Sequence, residues 1–394
     1  MVMEMLMRVG IVSIYYNAFN YGAQLQARAL VQIVKEYGYE CEQICYDATD
    51  EKYPFEKSIK EKIKEQGLIY LMVSKFRYVV HGINVKQNNK KISNKISARK
   101  NKFHKYENKT AHSQRIYNKE TISDCNDLYD VFITGSDQVF NPYYYNNAFL
   151  LGFVTGKTKL SYAASIGLSY LSQNEKELLQ TSLRTFDGIA VREDSGQTIL
   201  KELPQKEIKT TIDPTLLIDS TYWINEAHKT RELEEPYIFC YFLSNNNWYN
   251  KDISSLNPQK KYIIYSVGTS APYSYKVKNA TIIHPTPIEF IAYINHAKYI
   301  ITDSFHGTIF AINFNKNFIA LKRNNDTDKN SENQRFYSLL QKLNLLDYFL
   351  GKNEQYDINK IKAIDYNLIN LKLNLLREQS INFLNQSLKD SKHE

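Results

Sequence analysis

The stretch YIITDSFHGTIFAINF, Tyr299 to Phe314, sets a histidine, His306, between two apolar runs. The first run reads as a buried strand and the second as a helix. The turn between them therefore sits where open α/β sheets bind ligands, beyond the carboxyl end of a strand. Asp303 or Ser304 would cap the helix, and Gly307 followed by Thr308 would bring the first free backbone N–H groups close to an anion. His306 stands beside that anion, and an imidazole that titrates near neutrality can serve as acid or as phosphate partner. A lone histidine next to apolar residues is often only packed. Here strand end, flanking glycine and helix start coincide, which favours function.

Three other places carry residue types suited to the same kind of chemistry. Arg192 follows the apolar run IAV and precedes a helix starting near Asp194, and its planar fork suits a carboxylate or a phosphate. An ion pair with Glu193 or Asp194 is the competing reading. The turn YNAFNYGAQLQ brings Asn20, Tyr21 and Gly22 to the entry of a first helix, with amide donors but without the G-x-G-x-x-G of a dinucleotide site. In GSDQVFNP, Asp137 and Gln138 follow a strand and suit sugar hydroxyls, with Asp137 as a candidate general base. A plain turn or cap would use the same residues. No Walker loop, H-E-x-x-H or G-x-S-x-G occurs, and the eight histidines show no metal spacing, so neither a metal nor a cofactor is expected.

These residues need a scaffold, and the alternation of apolar runs supplies one. Val9 to Tyr15 reads as a strand, Gly22 to Tyr37 as a helix ended by Gly38, and Tyr39 to Tyr46 as a second strand, a β-α-β opening that implies a parallel sheet. Further strands are expected at Val131 to Thr134, Lys159 to Ser165 and Gly188 to Val191, with helices over Asn174 to Phe186 and Asp194 to Glu202. A polar stretch from Asn225 to Glu235 marks a boundary before YIFCYFL. KYIIYSVG, TIIH, IEFIAYINHA, YIITD and NFIAL then repeat the alternation. The expected fold class is α/β, with a first domain over residues 1–230 and a second over 231–394 that holds DSFHG and ends in long helices.

Composition bounds the rest. The chain has 394 residues, 43% hydrophobic and 23% charged, which suits two folded domains. The net charge is +8, yet residues 51–120 alone carry 18 Lys or Arg against 6 Asp or Glu. That basic insertion, without clean strands, could lie against an anionic membrane surface, steer an anionic substrate, or form a solvated helical face. No nucleic-acid reader motif accompanies it. Cys41, Cys45, Cys125 and Cys240 lack paired spacing and read as reduced structural thiols. No cleavable leader or membrane-length apolar run is evident, so a cytoplasmic protein is expected.

Taken in order, NYGAQLQARAL, VFITGSDQ, KLSYAASIG, IAVRED, DPTL at Asp213 to Leu216, and DSFHG resemble the polysaccharide pyruvyl transferase family over about Arg8 to Leu321. The resemblance implies two Rossmann-like domains facing across a cleft, GT-B-like. It also implies transfer of the pyruvyl group of phosphoenolpyruvate to a sugar as a ketal, on a surface polysaccharide or its lipid-linked precursor. Residue by residue, it places the donor-site histidine at His306 and a donor-contacting arginine at Arg192. Ser304, Gly307 and Thr308 fall on the donor side, and Asn20, Tyr21, Gly22 and Gln138 on the acceptor side. Many members carry arginine two residues before the histidine. This chain has Ser304 there, with Lys322 and Arg323 as candidate replacements. A nucleotide-sugar glycosyltransferase of the same fold and a non-catalytic glycan-assembly protein are the alternative readings.

Overall fold

In the computed structural model, which describes residues 6–49, 89–203, 207–227, 236–246, 248–268, 277–328, 331–352, 354, 361 and 363–391, most of the apolar runs become parallel strands, the central ones buried on both faces beneath helices. β1 (Arg8–Val12), α1 (Tyr21–Glu36) and β2 (Glu40–Gln43) open the chain. They are followed by α2 (Asn89–Glu107), β3 (Val131–Thr134), β4 (Thr158–Ala164), α3 (Gln173–Leu183), β5 (Gly188–Val191), α4 (Asp194–Leu200) and β6 (Ile208–Thr210). Two helices, α5 (Pro214–Leu217) and α6 (Ser220–Ala227), leave this sheet. The second half runs β7 (Tyr237–Tyr241), α7 (Tyr249–Leu256), β8 (Ile263–Val267), β9 (Thr281–Ile283), α8 (Pro287–His296), β10 (Tyr299–Thr302) and α9 (Phe305–Asn313). β11 (Asn317–Leu321), α10 (Gln334–Lys342), β12 (Phe349–Leu350) and the long α11 (Tyr366–Asp390) complete it.

The strands form two six-stranded parallel sheets, ordered β2-β1-β3-β4-β5-β6 and β12-β11-β10-β7-β8-β9. The order of strand addition reverses once in each, between β1 and β3 and between β7 and β10. Those reversals open the crevices in which doubly wound sheets hold ligands. The two α/β units are thus as expected, and each points its reversal toward residues singled out in the sequence.

Local chemistry sets the helix starts. Asn20 Oδ1 accepts from the amides of Gly22 (2.8 Å) and Ala23 (3.3 Å), capping α1. Gly38, at φ +84°, ends that helix in the left-handed conformation that glycine takes without strain. Ser172 with Glu175, and Thr286 with Glu289, form reciprocal capping boxes on α3 and α8.

Two features differ from the sequence expectation. Part of the basic insertion, residues 50–88, lies outside the described residues, but its last stretch pairs with the chain beyond β2 rather than forming only helix and loop. Ser113 N donates to Gln43 O and Tyr117 N to Cys45 O, both at 2.8 Å, which covers the edge of the first sheet. Backbone groups carry most of that pairing, with Ser113 Oγ accepting from Cys45 N at 2.9 Å, so no alternation of apolar residues announces it. The expected polar linker begins inside α6, which the fully buried Trp223 anchors to the core, while residues 228–235 lie outside the described residues.

The two units share one apolar core. Tyr21, at the start of α1, stacks on Phe290 of the second unit with ring centroids 4.4 Å apart, and its hydroxyl donates to Pro285 O at 2.9 Å. All four cysteines are buried and unpaired as disulfides. Among the described residues no helix is long and apolar enough to cross a membrane.

Candidate active site

His306 lies in the first turn of α9, whose N-cap is Ser304: its Oγ accepts from Gly307 N at 3.3 Å. This resolves the capping question in favour of Ser304. Asp303 does different work. Its carboxylate accepts from the amides of Leu243 (2.7 Å) and Ser244 (2.9 Å) and from the Ser244 hydroxyl (2.6 Å), pinning the loop after β7 across the reversal of the second sheet. Burial pushes that carboxyl above its usual range, against the pull of Arg323 and of these donors.

The imidazole of His306 is almost fully enclosed. One side abuts α1: a Cβ added to Gly22 would stand 2.0 Å from His306 Nδ1. Nε2 faces Asp213 Oδ2 at 3.5 Å, an ion-pair distance rather than a well-formed hydrogen bond. Asp213 is fully buried and caps α5. Its Oδ1 accepts from Thr215 N (3.0 Å) and Oγ1 (2.7 Å), and its Oδ2 accepts from Arg192 Nη1 at 2.8 Å. Burial pushes the Asp213 carboxyl up, but His306, Arg192 and Thr215 together hold it well below the usual carboxylate range. It is therefore an anion at neutral pH, shared by a histidine and an arginine.

Arg192 leaves the carboxyl end of β5 with its side chain 2% exposed. It does not pair with Glu193 or Asp194. Glu193 instead accepts from Ser165 Oγ and Gly167 N, and Asp194 accepts from Lys342. The guanidinium lies 4.7 Å over the Phe305 ring of the other unit, and Nη2 is 3.5 Å from Asp137 Oδ1. Its Nε, like His306 Nε2, is buried without a hydrogen-bond partner among the described residues. Both nitrogens stand beyond the carboxyl ends of strands, where a polar ligand could satisfy them.

Asp137 takes φ 67°, the left-handed region that aspartate tolerates better than most residues. Its backbone oxygen accepts from Ser165 N at 2.8 Å, which fixes the turn. Asp137, Gln138 and Asn20 line a cavity of about 430 Å³ at the reversal of the first sheet, walled by Tyr15, Tyr16, Tyr46 and Tyr144. Aromatic walls with a few polar groups suit a sugar ring, and a carboxylate on the wall can take a proton from a hydroxyl.

Not every residue singled out in the sequence reaches this place. Tyr21 is buried in the contact between units, where its ring and hydroxyl are both engaged. Gly22 makes room for His306 rather than lining the cavity. Gly307 lacks a side chain because a Cβ would come 2.6 Å from Thr302 Oγ1, so its role is close packing of α9 on β10, and its amide is already taken by Ser304. Thr308 is buried and its hydroxyl donates to Ser304 O at 3.1 Å. Lys322 pairs with Asp326 (3.1 Å) and Glu354 (2.8 Å), so its charge is already met by two carboxylates. Conversely, Asp213 carries more of the geometry than its place in DPTL suggests. The aspartate before a helix-starting proline was visible, but its reach to residues 21 and 93 positions away was not.

No curated protein matches the sequence. Among solved structures, UDP-GlcNAc 2-epimerase from Neisseria meningitidis bound to UDP-GlcNAc is similar at TM-score 0.50 and 9% identity, covering 96% of this chain and 99% of that chain. The S. aureus MnaA-UDP co-structure gives 0.48 at 11% identity, covering 98% and 97%, and Arabidopsis thaliana UGT89C1 gives 0.48 at 10%, covering 98% and 99%. At such identities the first of these speaks to fold alone, two Rossmann-like units in a GT-B-like arrangement. The family model described as polysaccharide pyruvyl transferase matches residues 20–325, which include the Asn20 cap, Asp137, Arg192, Asp213 and His306. The chain belongs to the polysaccharide pyruvyl transferase family and is a transferase.

Proposed function

We propose that this transferase moves the pyruvyl group of phosphoenolpyruvate onto two hydroxyls of one sugar residue, forming a cyclic ketal. The observation that carries the proposal is the convergence of Asp137, Arg192 and Asp213 from one unit with His306 from the other, beside an aromatic-walled cavity. Arg192 supplies a fixed guanidinium for the donor's carboxylate or phosphate, and the start of α9 adds the positive end of a helix dipole.

The bonds balance without an outside reagent. A sugar hydroxyl attacks C2 of the enol as C3 gains a proton, the bond from C2 to the phosphate oxygen breaks, and a second hydroxyl of the sugar adds to C2. The two hydroxyl protons end on the new methyl group and on phosphate. Asp137, facing the cavity, takes a hydroxyl proton, while His306 delivers one to C3 or holds the departing phosphate, oriented by Asp213. Asn20 and Gln138 line the acceptor cavity.

A saccharide on a lipid carrier, presented at the inner face of a membrane, fits a chain whose basic excess lies in residues 51–120. That acceptor and that peripheral contact belong to the same proposal. The test is incubation with phosphoenolpyruvate and candidate glycolipids, with phosphate release and pyruvyl mass gain measured together. His306→Ala is expected to lower turnover by about 10² to 10⁴. Near-normal turnover in that variant would remove the histidine from the chemistry, and mass gain from a nucleotide sugar instead would replace the donor.

A further inference from the structure

Two arginines beside the site have no part in the scheme above. Arg335, in the first turn of α10, is 4% exposed, and its guanidinium lies 5.7 Å over the Phe305 ring that Arg192 also covers. Arg323 follows β11 and is largely buried. Both donate to the same oxygen, Glu332 Oε2: Arg323 Nη2 at 2.8 Å, and Arg335 Nη2 in a closer contact. Gln138 Nε2, from the first unit's cavity loop, donates to the other oxygen, Oε1, at 3.2 Å. One carboxylate is thus held by three donors from three parts of the chain and from both units.

Charge explains why an anion belongs there. Two guanidiniums, Arg192 and Arg335, lie over the Phe305 ring, and a third, Arg323, meets Arg335 at Glu332. Burial pulls the Arg335 guanidinium down from its usual range, and the charges of Arg323 and Arg192 act in the same direction, against Glu332. Bidentate or converging arginines are the protein's strongest grip on carboxylate and phosphate. Position 304 supplies no cation, because Ser304 is committed to capping α9.

We propose that Arg335, with Arg323, forms the donor-anion seat that position 304 does not provide, and that the Glu332 carboxylate competes for this seat from within the chain. Donor binding then requires Glu332 to swing off the two arginines and give up its bond from Gln138. The seat is a claim about anions; that the anion belongs to phosphoenolpyruvate rests on the pyruvyl-transfer reading above. Glu332 lies on the connection between β11 and α10, where a side chain can move without breaking a strand or helix.

The experiment measures dissociation constants of phosphoenolpyruvate, inorganic phosphate and UDP-GlcNAc for the full chain by calorimetry. Glu332→Gln keeps the shape of the side chain and removes its charge, so phosphoenolpyruvate is expected to bind at least threefold tighter. A gain of affinity cannot come from misfolding. Arg335→Gln is expected to bind it at least tenfold more weakly, Arg335→Lys to fall between, and melting curves of all variants check the fold. Unchanged binding in both Glu332→Gln and Arg335→Gln, with the wild-type chain binding phosphoenolpyruvate, overturns the seat and leaves the pyruvyl-transfer reading intact. UDP-GlcNAc binding with the same dependence on Arg335, and no binding of phosphoenolpyruvate, upholds the seat and overturns that reading. Absence of binding by all three ligands in every variant overturns both.

Discussion

At the scale of single residues, the site is built on close approach and one shared carboxylate. Glycine inside a helix ordinarily costs roughly 0.5–1 kcal/mol relative to alanine. Gly22 bears that cost because His306 Nδ1 occupies the space of its missing Cβ. Gly22→Ala is therefore expected to leave α1 intact and push the imidazole away from Asp213. Displacements of about 1 Å can lower turnover by about 10²-fold, so kcat should fall on that order, and overpacking against the enclosed ring should cost about 1–3 kcal/mol of stability. Normal kcat in this variant would show that the ring's position is not set by α1. Asp213→Asn tests the carboxylate. A carboxyl held below its ordinary range stabilises the fold above the unfolded-state pKa, near 4, and that stabilisation is lost as pH falls through the folded value. Asp213→Asn should cost about 3–5 kcal/mol at neutral pH, since Arg192 loses its 2.8 Å partner. The gap between the two proteins should narrow on acidification. A gap independent of pH would mean that the ionised pair is not what is lost.

At the scale of elements, Asp137, Arg192 and His306 lie beyond strand ends, as the sequence implies. β3, β5 and β10 were legible because strands buried on both faces read as unbroken apolar runs, and Asp137, Arg192 and His306 each follow one of them. What stayed hidden is what crosses between elements. Glu332, Arg335 and Asp213 act on partners brought near by the fold, and the edge pairing of residues 113–117 runs mainly through backbone groups. Gly307 looked like a residue that admits a ligand, yet a helix packed tightly on its own strand demands the same glycine. Ser304 tests the element directly. Ser304→Ala removes the cap of α9 and should cost about 1 kcal/mol. Ser304→Arg, which places a cation two residues before His306, should destabilise more, because the position is 3% exposed and already filled by the cap. Tighter phosphoenolpyruvate binding by Ser304→Arg at unchanged stability would show that the cap is dispensable and the cation at position 304 is not.

At the scale of the whole molecule, the two units are held in register from behind the site by α11. Arg377 Nε donates to Leu216 O at 2.6 Å, and its Nη2 donates to Asn313 Oδ1 at 2.9 Å. Asn313 ends α9 and in turn donates through Nδ2 to Thr215 O and Ile218 O, both at 3.1 Å. The same helix accepts Ile212 N on Ser380 Oγ at 3.0 Å, and its first residue, Tyr366, donates to Lys316 O at 2.6 Å. These bonds tie α5, which begins beside Asp213, to α9, which holds His306 in its first turn, so the distance between Asp213 and His306 is set partly at the far ends of their helices. Asn313→Ala and Arg377→Ala each leave buried polar groups unpaired, which costs about 1–3 kcal/mol per group. Because the two side chains share a hydrogen bond, the double variant should lose less than the sum of the singles, with a coupling of about 0.5–3 kcal/mol in a double-mutant cycle by chemical denaturation. Each single variant should also lower kcat more than it raises the KM of the acceptor, since the cavity lies in the first unit alone and only the approach of His306 is disturbed. Additive stabilities with unchanged kcat would reduce α11 to a cover on the core, and the alignment of the two units would then rest on the Tyr21–Phe290 contact instead.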